Sequence, residues 1–202
     1  MSEKYTNFLL ATTNQGKLRE LRELLAPLGL ELVSPSDLGL TLNVEETGAT
    51  FEDNARLKAI AYCAAAGIPA IADDSGLCVD AMDGAPGVYS ARFGGEHLNP
   101  HEHNIYLLGR LDGITDRAAQ FRCAIVCAFP NGDELTAQGE LRGAIAMRSV
   151  GEHGFGYDPI FELPQLGKSL AELSSEEKHA ISHRGNALRE FVVKLRAYMD
   201  SK

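Results

Sequence analysis

FEDNARLKAIAYCAAAGIPAIADDSG, residues 51–76, reads as a helix followed at once by a strand. Phe51 to Ala66 is rich in alanine, the best helix former, and Glu52 and Asp53 sit in the first turn, where acids complement the helix dipole. Gly67 and Pro69 stop the helix. Ala70 to Ala72 is then a short buried strand ending at Asp73-Asp74, with Ser75-Gly76 as a tight exit. Neighbouring side chains of an extended chain point to opposite faces, so at most one of the two aspartates faces a given pocket. Carboxylates just past a strand end are where α/β folds place ligand chemistry.

Upstream, Thr6 to Thr12 has strand character. Gly16 and Lys17 open a helical pattern in which Leu18, Leu21, Leu25 and Leu28 share a face, with Arg19, Glu20, Arg22 and Glu23 off it. Leu30 to Val33 alternates like a strand. Downstream, Asn99 caps a helix that starts at Pro100 and runs to about Leu111. Ala118 to Phe129 and Leu135 to Met147 are two long strands joined through Asn131-Gly132, a hairpin signal. Ser174 or Ser175 caps a last helical region ending near Met199. Early alternation of strands and helices with a later antiparallel pair means an α/β fold built on an elongated, mixed β-sheet.

At 202 residues the chain fits a single domain, or two lobes sharing one core. Hydrophobic residues at 45% and charged residues at 23% leave room for a sizeable core without staples. No apolar run approaches the ~20 residues that cross a bilayer, and Phe8 to Ala11 is too short for a signal peptide, so a cytoplasmic location is expected. Cys63, Cys78, Cys123 and Cys127 lie in apolar segments and read as reduced and buried. A net charge of −9 argues against nucleic acid and anionic membranes as partners, but not against a small anion held in a local basic pocket with a divalent metal.

Four constellations carry candidate chemistry. Thr12-Thr13-Asn14-Gln15-Gly16-Lys17 joins a strand to a helix, so free amides, the dipole and a lysine converge as a phosphate would need; an ordinary capped helix start reads equally well. The second is acidic, with Glu45-Glu46 in a loop and Asp73-Asp74 after the strand. Magnesium needs one or two carboxylates plus phosphates and water, and Asp74 with Glu45 could supply the carboxylates; solvated turn carboxylates are the alternative. Gly154-Phe155-Gly156-Tyr157-Asp158-Pro159 offers an aromatic stacking surface beside exposed backbone. Lys178, Ser182, His183 and Arg184 complete the set; on an unbroken helix Lys178 and Arg184 would not share a face, so either the helix starts late or they serve different parts of a ligand. His97, His101 and His103 read as solvated side chains rather than a metal cluster.

These blocks in this order resemble the RdgB-like family of XTP/dITP diphosphatases, also called inosine triphosphate pyrophosphatases. The resemblance runs through Thr12-x-Asn14-x-Gly16-Lys17, Glu52 to Ala59, Ala72 to Leu77, Gly84 to Arg92, Phe155 to Phe161 and Ser182-His183-Arg184, which together span nearly the whole chain. It implies two α/β lobes around a central nucleotide-binding cleft, a homodimer, and hydrolysis of ITP, dITP and XTP to the monophosphate and pyrophosphate. By position it implies Thr12 to Lys17 and Lys58 on the triphosphate, Asp74 as the base that activates water, Glu45 as a magnesium ligand and Ser75 as a substrate contact. Phe155, Gly156, Tyr157 and Asp158 would surround the base, with Lys178, His183 and Arg184 completing its recognition. Donors aimed at a 6-oxo group would meet the 6-amino group of adenine unpaired, which costs ~1–3 kcal/mol for each buried donor. The alternatives are a Maf-like pyrophosphatase of other specificity and a non-catalytic nucleotide-binding regulator.

Overall fold

The helix read from Phe51 to Ala66 forms over those residues in the computed structural model, which describes residues 5–201. Both ends of this helix (α2) are fixed by local chemistry. Thr50 Oγ1 accepts from the Asp53 amide while the Asp53 carboxylate accepts from the Thr50 amide, and Gly67 turns the chain out at φ 69°. Asp53 is thus spent on the cap. Thr50→Ala, which removes the capping hydroxyl, is expected to cost about 1 kcal/mol in urea unfolding; an unchanged midpoint would show the cap to be idle.

Around α2 the chain forms β1 (Asn7–Leu10), α1 (Gln15–Leu25), β2 (Glu31–Val33), β3 (Ala70–Val79), α3 (Pro100–Arg110), β4 (Ala118–Ala128), β5 (Glu134–Ile145), β6 (Phe161–Leu163), β7 (Lys168–Ser169), α4 (Ser175–Ile181) and α5 (His183–Asp200). The strands make a mixed sheet in the order β2-β1-β3-β4-β5-β6-β7. β1 runs parallel to β2 and β3, with Phe8 opposite Leu32 and Leu9 opposite Ala70, and β6 is antiparallel to β5 and β7. The α/β class and the mixed sheet are as expected.

Two local readings are corrected. Asp73-Asp74 does not end a strand: β3 continues through Ser75-Gly76 to Val79, and nine of its ten residues are buried. The acidic pair interrupts the hydrophobicity but not the extended backbone, because both carboxylates have cationic partners inside. The last helical region is also two helices. Ser182 at φ −65°, ψ 155° is extended and separates α4 from α5. Ser174 caps α4 by accepting from the Glu177 amide.

Two compact units divide the chain. The first takes the chain through Asp74, Cys123–Gly139 and everything from Arg184; the second takes Ser75–Arg122 and Glu140–His183. In the first unit, strand alternation sorts the core between two sheet faces. Phe8, Leu10, Ile71, Cys123, Ile125 and Cys127 turn toward Leu18, Leu21 and Leu25 of α1 and Leu188, Phe191 and Leu195 of α5. Leu9, Ala11, Ala70, Ala72, Val126 and Ala128 turn to Ala55, Ala59 and Tyr62 of α2. The second unit packs Leu107 of α3 and Leu111 just past its end with Leu77, Val79, Phe121, Ile145, Tyr157 and Phe161. All four cysteines are free and buried, and burial pushes the Cys123 thiol up to about 12.

Candidate active site

In the first unit, the two-face alternation decides where the acids go. Asp73 continues the Ile71 face and meets α1 and α5; Asp74 continues the Ala72 face and meets α2. Asp73 is fully buried, with Lys17 Nζ 3.2 Å from its Oδ2 and Arg184 Nε and Nη2 donating to the same oxygen at 3.1 and 2.9 Å. Lys17 Nζ also donates to the Asp73 carbonyl at 3.4 Å. Arg184 Nη1 donates to Glu20, so the whole guanidinium is engaged. Burial alone would raise the Asp73 carboxyl, but Lys17 and Arg184 outweigh it and hold it well below the ordinary carboxylate range.

Asp74 on the other face is 7% exposed. Asn54 Nδ2 donates to its Oδ2 at 3.2 Å, and Lys58 Nζ lies 3.6 Å from its Oδ1. Lys58 also meets Glu46 at 2.5 Å. Here burial prevails over Lys58 and Lys17, and Glu46 adds to it, so the Asp74 carboxyl is raised. One aspartate is therefore a fixed anion that anchors cations, and its neighbour is a more basic carboxylate. α1 begins beside them: Asn14 takes the Lys17 amide at 3.1 Å, Thr12 Oγ1 accepts from the Asn14 amide at 3.2 Å, and Thr13, Asn14 and Gln15 are exposed. The loop from Thr12 to Gly16 thus keeps open the helix start that the sequence offered to a phosphate.

The second unit holds the aromatic block. Asp158, 3% exposed, accepts from the Phe155 amide at 2.8 Å and from Lys178 Nζ at 2.7 Å. Lys178 Nζ lies 4.8 Å from the centre of the Phe155 ring. Gly154 has φ 76°, and a Cβ there would strike the Asp158 carboxylate, so the loop needs glycine at that point. Tyr157 donates its hydroxyl to the Ser90 carbonyl at 2.9 Å, and burial pushes its phenol up to about 12. His183 is stacked on Phe121, with ring centroids 4.7 Å apart. Ser75 is half-buried and follows Asp74 directly.

Glu46, rather than Glu45, meets Lys58, while Glu45 is exposed. Arg184, expected to read a base, is 1% exposed and bound on Asp73 and Glu20. Glu20, placed off the buried face by the leucine pattern, is buried by this pairing. Lys178 and Arg184 do belong to different groupings, as the face argument allowed, because the chain breaks between them. Asn54 was legible: it lies four residues before Lys58, so the two share a face of α2. His97 and His101 are exposed, whereas His103 places Nδ1 2.6 Å from the Phe93 carbonyl. Among the described residues no three His, Cys, Asp or Glu side chains cluster as metal ligands, and no helix is long and apolar enough to cross a membrane.

Comparison with known proteins points the same way. A profile of the Ham1 family matches residues 8–194. A dITP/XTP pyrophosphatase of an Exiguobacterium species is 48% identical over 95% of this chain and 97% of its own length. One from Yersinia pestis is 50% identical over 93% of this chain and 97% of its own. Among solved structures, the Staphylococcus aureus Ham1 protein superimposes with a TM-score of 0.86 at 42% identity, covering 95% of this chain and 99% of that one.

Proposed function

The chain belongs to the Ham1 family, and from that premise we propose that it is a nucleoside triphosphate pyrophosphatase that cuts dITP, ITP and XTP to the monophosphate and pyrophosphate. The observation that carries the reading is Asp74: a buried, raised carboxylate beside Lys58 and Glu46, one residue from the Asp73 that anchors Lys17. Asp74 takes a proton from water, the water oxygen bonds to the α-phosphorus, and the bond from that phosphorus to the bridging oxygen breaks. Pyrophosphate leaves with the bridging oxygen. Lys17, Lys58 and the open amides at the start of α1 offset its charge, and these groups are in place before the reaction begins.

The donor set fits magnesium. A protein that offers only a pair of carboxylates suits an ion that keeps water and substrate phosphates as its other ligands, not one caged by protein alone. Asp74 and a carboxylate of the Glu45-Glu46 pair would hold it. When bound it would supply Lewis-acid neutralisation of the phosphate oxygens. Asp158, Lys178 and Phe155, grouped within the second unit, are the polar and stacking groups that the family resemblance assigns to a purine base.

Pyrophosphate release from dITP, ITP, XTP, dTTP, UTP and ATP, with magnesium and with a chelator, tests the reading. Release is expected from the oxopurine substrates with magnesium, with at least about tenfold less from ATP, the cost of one unpaired buried donor. A preference for dTTP or UTP would favour a pyrophosphatase of other specificity. No release from any substrate would leave a binding protein.

A further inference from the structure

A base must be aimed as well as basic, and the aim of Asp74 comes from a single buried side chain. The terminal torsion of an aspartate is broad, so a carboxylate does not fix its own plane. Lys58 Nζ stands 3.6 Å from Asp74 Oδ1, too far for a hydrogen bond, and meets Glu46 at 2.5 Å instead. An ammonium is also a point charge, which attracts a carboxylate without orienting it. Among the described residues, the one hydrogen bond made to the Asp74 side chain comes from Asn54 Nδ2, at 3.2 Å.

Asn54 is itself held from behind. It is fully buried on the first turn of α2, where its amide donates to the Thr50 carbonyl at 3.2 Å. Its Oδ1 accepts from the Gly48 amide at 2.7 Å. Turned over, the side-chain amide would set Nδ2 against that N–H and Oδ1 against the Asp74 carboxylate, so both ends demand the same orientation. Gly48 comes this close because it has no side chain: a Cβ there would lie 2.5 Å from Asp53 Cβ and 2.7 Å from Asn54 Oδ1. The Thr50–Asp53 capping box secures the same turn. A chain of contacts therefore runs from the capped helix start through Gly48 and Asn54 to Asp74, all within the first unit. Every link is a protein group, which makes the orientation a property of the fold.

We propose that Asn54 is a positioning residue for the reaction, an amide that Gly48 orients from one side and that fixes the Asp74 carboxylate on the other. The inference rests on the reading of Asp74 as the base and adds the residue that aims it. Asn54→Leu keeps nearly the same volume and removes both hydrogen bonds.

The experiment resolves kcat and KM for dITP at saturating magnesium in wild type and Asn54→Leu, with thermal melts as the folding control. Hydrogen–deuterium exchange at the Gly48 amide is followed in both proteins. kcat is expected to fall about tenfold, the worth of one buried hydrogen bond to a charged group, while KM stays within about threefold. The Gly48 amide, deprived of its acceptor, should exchange at least about tenfold faster. A folded variant with unchanged kcat, or one in which only KM rises, would overturn the proposal, as would unaltered exchange at Gly48. Wild type inactive on dITP and XTP would take down the functional reading and this inference together, whereas active wild type with kcat unchanged in the variant removes the inference alone. Should Asn54→Leu not fold, Asn54→Ala decides, since it leaves room for water around the stranded groups: kcat should fall at least about threefold at unchanged KM, and an unchanged kcat sinks the idea.

Discussion

Asp74→Asn is expected to lower kcat on dITP and XTP by at least about 10²-fold, within the range that a positioned general base contributes. KM should change much less. The substitution is nearly isosteric, and an amide oxygen can still accept from Asn54, which now lies 3.2 Å from Asp74. Lys58 keeps Glu46, so the cluster does not lose its remaining pair. What is lost is a carboxylate that burial has made more basic than usual. Neighbouring Asp73 cannot take over, because Lys17 and Arg184 hold it ionised and it sits on the opposite face of β3. Steady-state kinetics with a thermal melt as a folding control gives the answer. A kcat within roughly threefold of wild type, far short of what a general base contributes, would remove Asp74 from the role.

How much of this was legible depended on the range of the interaction that fixes each feature. α2 was read to the residue, because a run of alanines, two acids in the first turn and a glycine and proline after the last turn are all local signals. β3 was cut short because a one-dimensional pattern treats two aspartates as the end of a buried run. Their partners lie far away in sequence: Arg184 is 111 residues from Asp73, and no local window holds both. The same distance hid Glu20, which looks solvated on α1 until α5 brings Arg184 to it. Lys17, Lys58 and Asp74 were named because their blocks, weak singly, together resemble one family, whereas which of Glu45 and Glu46 approaches Lys58 turns on the path of an irregular loop, which no periodicity sets.

Arg184→Met should be the most destabilising of these changes, at about 3 kcal/mol in urea unfolding at neutral pH, the lower end of the range for breaking a buried ion pair. Methionine fills much of the volume, so the loss is one of charge and hydrogen bonds rather than of packing. Asp73 would keep Lys17 but lose both guanidinium bonds at 3.1 and 2.9 Å, and Glu20 would lose its cation. An anion inside the sheet that keeps only one of its two cations is costly because little water reaches it. Adding Asp73→Asn to Arg184→Met should recover part of the loss, since the stranded charge is then gone; purely additive losses would mean that the pair is not coupled. The pH dependence has a definite sign. Burial opposes the Asp73 charge but its cations win, so the folded carboxyl lies below its unfolded value of about 3.9. Stability from this ionisation is therefore present above that pH and is lost as the pH falls toward the depressed folded value. The gap between wild type and Arg184→Met should hold from neutral pH down to about 4 and narrow below it. A gap that widens on acidification would mean that Asp73 is not the charge Arg184 serves.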